Sequence, residues 1–189
     1  PIEVCHTIPP LPSQLIHRDN MLFAVEDLFK DDISVVFVEG EEEIGKTTLL
    51  SLFARRNASS SVGLFVRNDS PFFCDLRTLR FDLCNQLNVF LYRRELPSTS
   101  TCDDTHLRTL FHDLMRQMRY RRFPLHFIVD DLYRLPAEIR ESIISMLPFG
   151  FPGFRFLLSG DSDQLRILFR GMKSKSYTLA AFNSGEAEA

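Results

Sequence analysis

Eight consecutive residues, Gly40-Glu41-Glu42-Glu43-Ile44-Gly45-Lys46-Thr47, follow the spacing G-x-x-x-x-G-K-[ST]. That spacing serves the holding of phosphate. A loop of this kind turns successive backbone N–H groups toward an anion, and the helix it opens adds the positive end of its dipole. Gly45 lets the backbone approach, the Lys46 ammonium reaches the β- and γ-phosphates, and the Thr47 hydroxyl can ligand Mg²⁺. Gly40, Glu43, Ile44, Gly45, Lys46, Thr47 and Thr48 are the expected nucleotide contacts. The plain alternative is a glycine-containing turn ahead of a helix, with Lys46 and Thr47 solvated. A strand before the loop and a helix after it favour the phosphate site.

A second segment, His126-Phe127-Ile128-Val129-Asp130-Asp131, is an apolar strand that ends in two acids. In phosphoryl transfer a strand-end acid holds Mg²⁺, and a neighbouring acidic group orients or deprotonates the attacking water. Asp130 is assigned to Mg²⁺ and Asp131 to the water; Lys46 and Asp131 are the expected catalytic pair. Acids also end strands simply by capping the next turn, so the pair gains its meaning from the loop upstream. Ser159, at the end of Phe154 to Leu158, is placed either as a polar sensor near the γ-phosphate or as part of a Ser-Gly turn. Arg18, ahead of the first helix, either frames the base or stands exposed.

Positioning these groups takes alternating strands and helices. Ile33 to Val38 is a short, nearly unbroken apolar and β-branched run, the pattern of a strand buried on both faces. Val62 to Val66, Leu125 to Val129, Phe154 to Leu158 and Tyr177 to Leu179 are the further strands. Helical spacing of apolar residues marks Asp19 to Phe29, the segment after Thr47, Asp75 to Tyr92 and about Asp103 to Tyr120. Pro136 suits the first turn of another helix to about Leu147, and Gln164 to Phe169 forms a short one. The alternation predicts a three-layer α/β domain with a mostly parallel central sheet. Pro9, Pro10 and Pro12 make residues 1–15 an extended linker ahead of one domain over 16–189.

Composition narrows the function classes. A net charge of −3 and a pI near 6.0 give no electrostatic footprint for nucleic acid, which is not expected as a partner. Arg116, Arg119, Arg121 and Arg122 are read as complementing a helix C-terminus in preference to binding nucleic acid, for want of interleaved aromatics. Cys5, Cys74, Cys84 and Cys102 form no C-x-x-C pair and no zinc spacing, so reduced thiols and no metal beyond Mg²⁺ are expected. No apolar run reaches membrane-spanning length and no signal peptide opens the chain; a cytoplasmic location follows. Eighteen Phe against no Trp points to an aromatic core.

The order of Ile16 to Asn20, a Walker A loop at Gly40 to Thr47, a Walker B strand at Phe127 to Asp131 and the strand Phe154 to Ser159 resembles the STAND class of signalling ATPases, relatives of the AAA+ ATPases. The resemblance covers about Ile16 to Ala189. It implies an ATP/ADP switch with slow Mg²⁺-dependent hydrolysis, homo-oligomerisation in the activated full-length protein, and sensor and effector domains outside this chain, often in defence against phage. It departs from the pattern in two places. Relatives usually carry glycine where this chain has Glu43, and an arginine often follows the sensor strand, where this chain reads Ser159-Gly160-Asp161-Ser162. Were the Glu43 carboxylate within about 6 Å of a phosphate charge, repulsion would reach roughly 3 kcal/mol at an effective dielectric near 20. Two rivals stand beside the switch: an AAA+ or origin-recognition-like ATPase acting on DNA, and an interaction domain whose P-loop has decayed.

Overall fold

The computed structural model describes residues 8–12, 19–66, 75–97, 102–120, 123–160, 167 and 169–180. The expected Gln164 to Phe169 helix lies largely outside them, as do Arg18, Cys5, Cys74, Arg121 and Arg122.

Five described strands, β1 (Val35–Glu39), β2 (Ser61–Phe65), β3 (Leu125–Asp130), β4 (Phe154–Ser159) and β5 (Ser174–Thr178), form one sheet in the order β2-β3-β4-β1-β5. Every pairing is parallel. The three central strands are apolar on both faces because helices cover both. In β1, Val35 and Phe37 enter one core cluster while Val36 and Val38 enter the other; in β3 the same split separates Phe127 and Val129 from Ile128.

Helices α1 (Asp19–Leu28) and α2 (Lys46–Arg56) close one face with Leu22, Val25, Leu49, Leu50 and Phe53. On the other lie α3 (Leu76–Tyr92), α4 (Asp104–Met118) and α5 (Ala137–Met146). The α3 and α4 starts follow from their caps: Asp75 accepts from the Thr78 N–H at 3.0 Å and Asp103 from the His106 N–H at 2.8 Å. Pro136 stands one residue ahead of α5 as its N-cap. The last strand begins at Ser174, three residues before the expected start. Its sequence Ser-Lys-Ser-Tyr-Thr has no apolar alternation because it is an edge strand.

Phenylalanine fills the core as expected, with Phe37, Phe53, Phe65, Phe127, Phe154 and Phe156 fully buried. Each contributes about 1.5–3 kcal/mol by leaving water. Phe23 and Phe123 depart from that pattern: Phe23 is half exposed beneath the Arg56 guanidinium, and Phe123 is 78% exposed. The other edge strand, β2, is closed by a side chain. The Gln86 amide accepts from Gly63 N–H at 2.8 Å and donates to Gly63 C=O at 2.7 Å, reproducing the two bonds a neighbouring strand would make.

Candidate phosphate and magnesium site

The C-terminal ends of β1, β3 and β4 lie side by side, which brings Gly40, Asp130 and Ser159 to one edge of the sheet. This is the edge where open α/β sheets receive ligands. Gly40 leaves β1 with φ 146°, and a Cβ there would stand 2.9 Å from the Leu179 carbonyl oxygen, so the exit admits only glycine. Leu179 is held in place by its own N–H to Glu39 C=O at 2.8 Å. Gly45, at φ 97°, is the N-cap of α2, whose first internal bond runs from Leu49 N–H to Gly45 C=O at 3.0 Å.

Lys46 is curled into the loop it follows. Its ammonium donates to Gly40 C=O at 2.7 Å and to Glu41 C=O at 2.6 Å. An ammonium has three protons; two brace the loop and one is left for an anion. Glu43 adopts φ 61° with an exposed side chain. The loop thus demands the left-handed conformation that glycine supplies without cost. Ile44 packs on the α1/α2 core and Thr48 lies in the first turn of α2.

Asp130 is buried, and its carboxylate receives the Ser159 hydroxyl proton, with the Thr47 hydroxyl within hydrogen-bonding reach. Burial pushes its pKa up to about 6, the adjacent Asp131 adding to the rise and the two hydroxyls opposing it. A buried acid flanked by a hydroxyl at the mouth of a phosphate loop suits a hard cation bound through oxygen. Thr47 and Asp130 would hold Mg²⁺ there.

Asp131 turns away from the strand at φ 57° and donates its N–H to Ser159 Oγ at 3.2 Å. Its carboxylate pairs with Arg134 Nε at 2.9 Å. Burial raises its pKa, while Arg134 and then Lys46 pull it down. The structure therefore brings Lys46, Thr47, Asp130, Asp131 and Ser159 together. It adds Arg134, which sequence reasoning missed; the spacing Asp131-x-x-Arg134 becomes a contact because a 3₁₀ turn, Leu132–Arg134, follows the left-handed Asp131.

Clefts also lie elsewhere. One of about 450 Å³ is lined by His112, Met115, Arg116, Arg119, Tyr120 and Phe151, beside the end of α4. Of the arginines there, Arg116 occupies the last turn of α4, as dipole complementarity predicts, and Arg119 is exposed beside Tyr120, itself 90% exposed; Phe123 is 78% exposed. Among the described residues no helix is long and apolar enough to cross a membrane.

Neither a family model nor a curated protein matches the chain. Among solved structures, Drosophila ORC bound to GC-rich DNA and Cdc6 is similar over 86% of this chain, with 13% identity and a TM-score of 0.54. Drosophila ORC bound to poly(dA/dT) DNA and Cdc6 is similar over 90%, with 14% identity and a TM-score of 0.55. This chain spans 28% and 30% of those chains. At such identities the likeness is one of fold, a three-layer α/β arrangement with a five-stranded parallel sheet.

Proposed function

We propose that this chain is a Mg²⁺-dependent ATP-binding and ATP-hydrolysing module. The observation that carries the reading is the Lys46 geometry: an ammonium braced on two loop carbonyls beside the Thr47, Asp130 and Ser159 cluster. Lys46 and the α2 N-terminus bind and orient the phosphates. Thr47 and Asp130 hold the cation, which when bound neutralises charge on the transferring phosphoryl group. Asp131 orients the attacking water and accepts its proton. Calorimetric titration with ATP and ADP in Mg²⁺ tests this. Binding by the native chain, its abolition in Lys46→Ala, and turnover lost with binding spared in Asp131→Asn are the expected results. A native chain that binds neither nucleotide would return the decayed interaction domain.

The likeness to ORC supports an AAA+ ATPase over a signalling switch, which rests on the motif resemblance alone. Homo-oligomerisation, attached sensor and effector domains, and a defence role belong to that second reading, and nucleotide-dependent change in sedimentation of the full-length protein would test the first of them. Action on DNA is favoured by one further observation, the exposed Arg119, Tyr120 and Phe123 surface. Binding to oligonucleotides that weakens steeply with salt is the expected signature.

A further inference from the structure

We propose that Arg134 is the residue that distinguishes a triphosphate from a diphosphate in this site, and that Ser159 serves to hold the acid pair. The inference rests on the nucleotide reading above. A hydroxyl has one proton to give. The Ser159 proton goes to Asp130 and its oxygen accepts the Asp131 N–H at 3.2 Å. Turning that proton to a phosphate would strip the buried Asp130 carboxylate of a partner. Ser159 is thus a positioning residue for both acids.

Arg134 is placed differently. It stands at the exit of β3, on the 3₁₀ turn that Asp131 opens, and is about one-third exposed. Its guanidinium carries five N–H groups in a planar fork. Nε is given to Asp131 at 2.9 Å, with Tyr133 the other neighbour it bonds. Asp131 feels both Lys46 and Glu42, and Arg134 feels Glu42 as well. The guanidinium thus touches the carboxylate that adjoins Asp130 and that the Lys46 charge also acts on. Downstream of β4 the sequence offers no arginine before position 166.

Without phosphate, the Asp131 carboxylate is occupied by Arg134. A terminal phosphate is a stronger, bidentate partner for a guanidinium than one carboxylate oxygen on Nε. Its arrival draws Arg134 toward the phosphate and frees Asp131 to take the water. A diphosphate leaves the pair closed. Recognition of the third phosphate and release of the base are thus one event.

The test compares the native full chain with Arg134→Ala, Arg134→Lys and Ser159→Ala, titrated with ADP and with a non-hydrolysable ATP analogue in Mg²⁺, alongside steady-state ATP turnover. For Arg134→Ala we expect triphosphate affinity to fall about tenfold, the loss of one charge-assisted fork, with ADP affinity within about twofold of native. Arg134→Lys should recover affinity in part, since charge remains, and leave kcat low, since the fork is gone. Ser159→Ala should weaken both nucleotides alike. An equal loss for ADP and analogue in Arg134→Ala, or no loss in either, overturns the inference and leaves the nucleotide reading standing. A native chain that binds neither overturns both.

Discussion

Strand β3 carries an ionisable residue near each end, His126 partly buried and Asp130 fully buried, and the two are treated in opposite ways. At the start, His126 lies edge-on to Phe29 and Phe53, with ring centroids 5.3 and 5.2 Å away, and burial lowers its pKa to about 4. The Ser60 carbonyl lies 3.4 Å from its Nδ1, and Arg155 adds a repulsive charge. At the far end, Asp130 is buried among hydroxyls and a second acid, and its pKa rises to about 6. His126 can stay neutral and act as another aromatic. Asp130 has to ionise to hold a cation, so its burial works against the fold. The difference separates a residue whose surroundings suit packing from one whose surroundings suit the proposed cation chemistry.

The largest expected effect breaks the comparison at its chemical end. Asp130→Asn should lower Mg²⁺-dependent turnover by about 10²-fold or more, the scale of a lost electrostatic group. The same change should raise stability at pH 8, without Mg²⁺, by about 3 kcal/mol, measured by urea unfolding. The sign follows from linkage: the folded protein retains the Asp130 proton up to about pH 6, so stability falls as pH rises from about 3.9 to 6.

His126 has the reverse sign. The unfolded chain takes up the His126 proton below about pH 6.5 and the folded chain resists until about 4, so stability falls by about 3 kcal/mol as pH drops through that window. The two slopes overlap and oppose between about pH 4 and 6, and the native protein should show little net dependence there. His126→Leu should unmask the falling limb, and Asp130→Asn the rising one. A native profile steep in this range would show that one end of the strand dominates.

Smaller effects sharpen the contrast along the loop. Gly40→Ala should destabilise by about 1–3 kcal/mol, as an added methyl group meets the Leu179 carbonyl. Glu43→Gly should stabilise the loop and tighten nucleotide binding by about 1 kcal/mol, because it relieves a left-handed conformation. Glu43→Gln keeps that conformation and should change affinity little, since the native side chain is exposed. Equal gains from both would mean that charge, and not backbone, sets the cost.

Much of this site could be read from residue order. The Gly40 to Thr47 spacing and the apolar run into Asp130 each name local chemistry, and buried parallel strands advertise themselves as β-branched runs. What escaped depends on contacts that spacing does not encode. Arg134 meets Asp131 only through a left-handed residue and a 3₁₀ turn. The apolar stripe of α3 was legible, yet its buried Asp82, Asn85, Gln86 and Asn88 look like a solvated face until their partners, such as Leu96 N–H on Asn85 at 2.7 Å, are known. Strand β5 was misjudged at its start because an edge strand need not alternate.

The Gln86 amide on Gly63 has a bearing beyond the fold of one chain. A sixth strand arriving at that point of β2 would find both backbone groups engaged, and displacing Gln86 would also strip Asp82 of its bond to the same amide at 2.9 Å. The sheet is therefore terminated there by its own side chain. A second copy of the chain cannot extend the sheet through Gly63 without first displacing that amide.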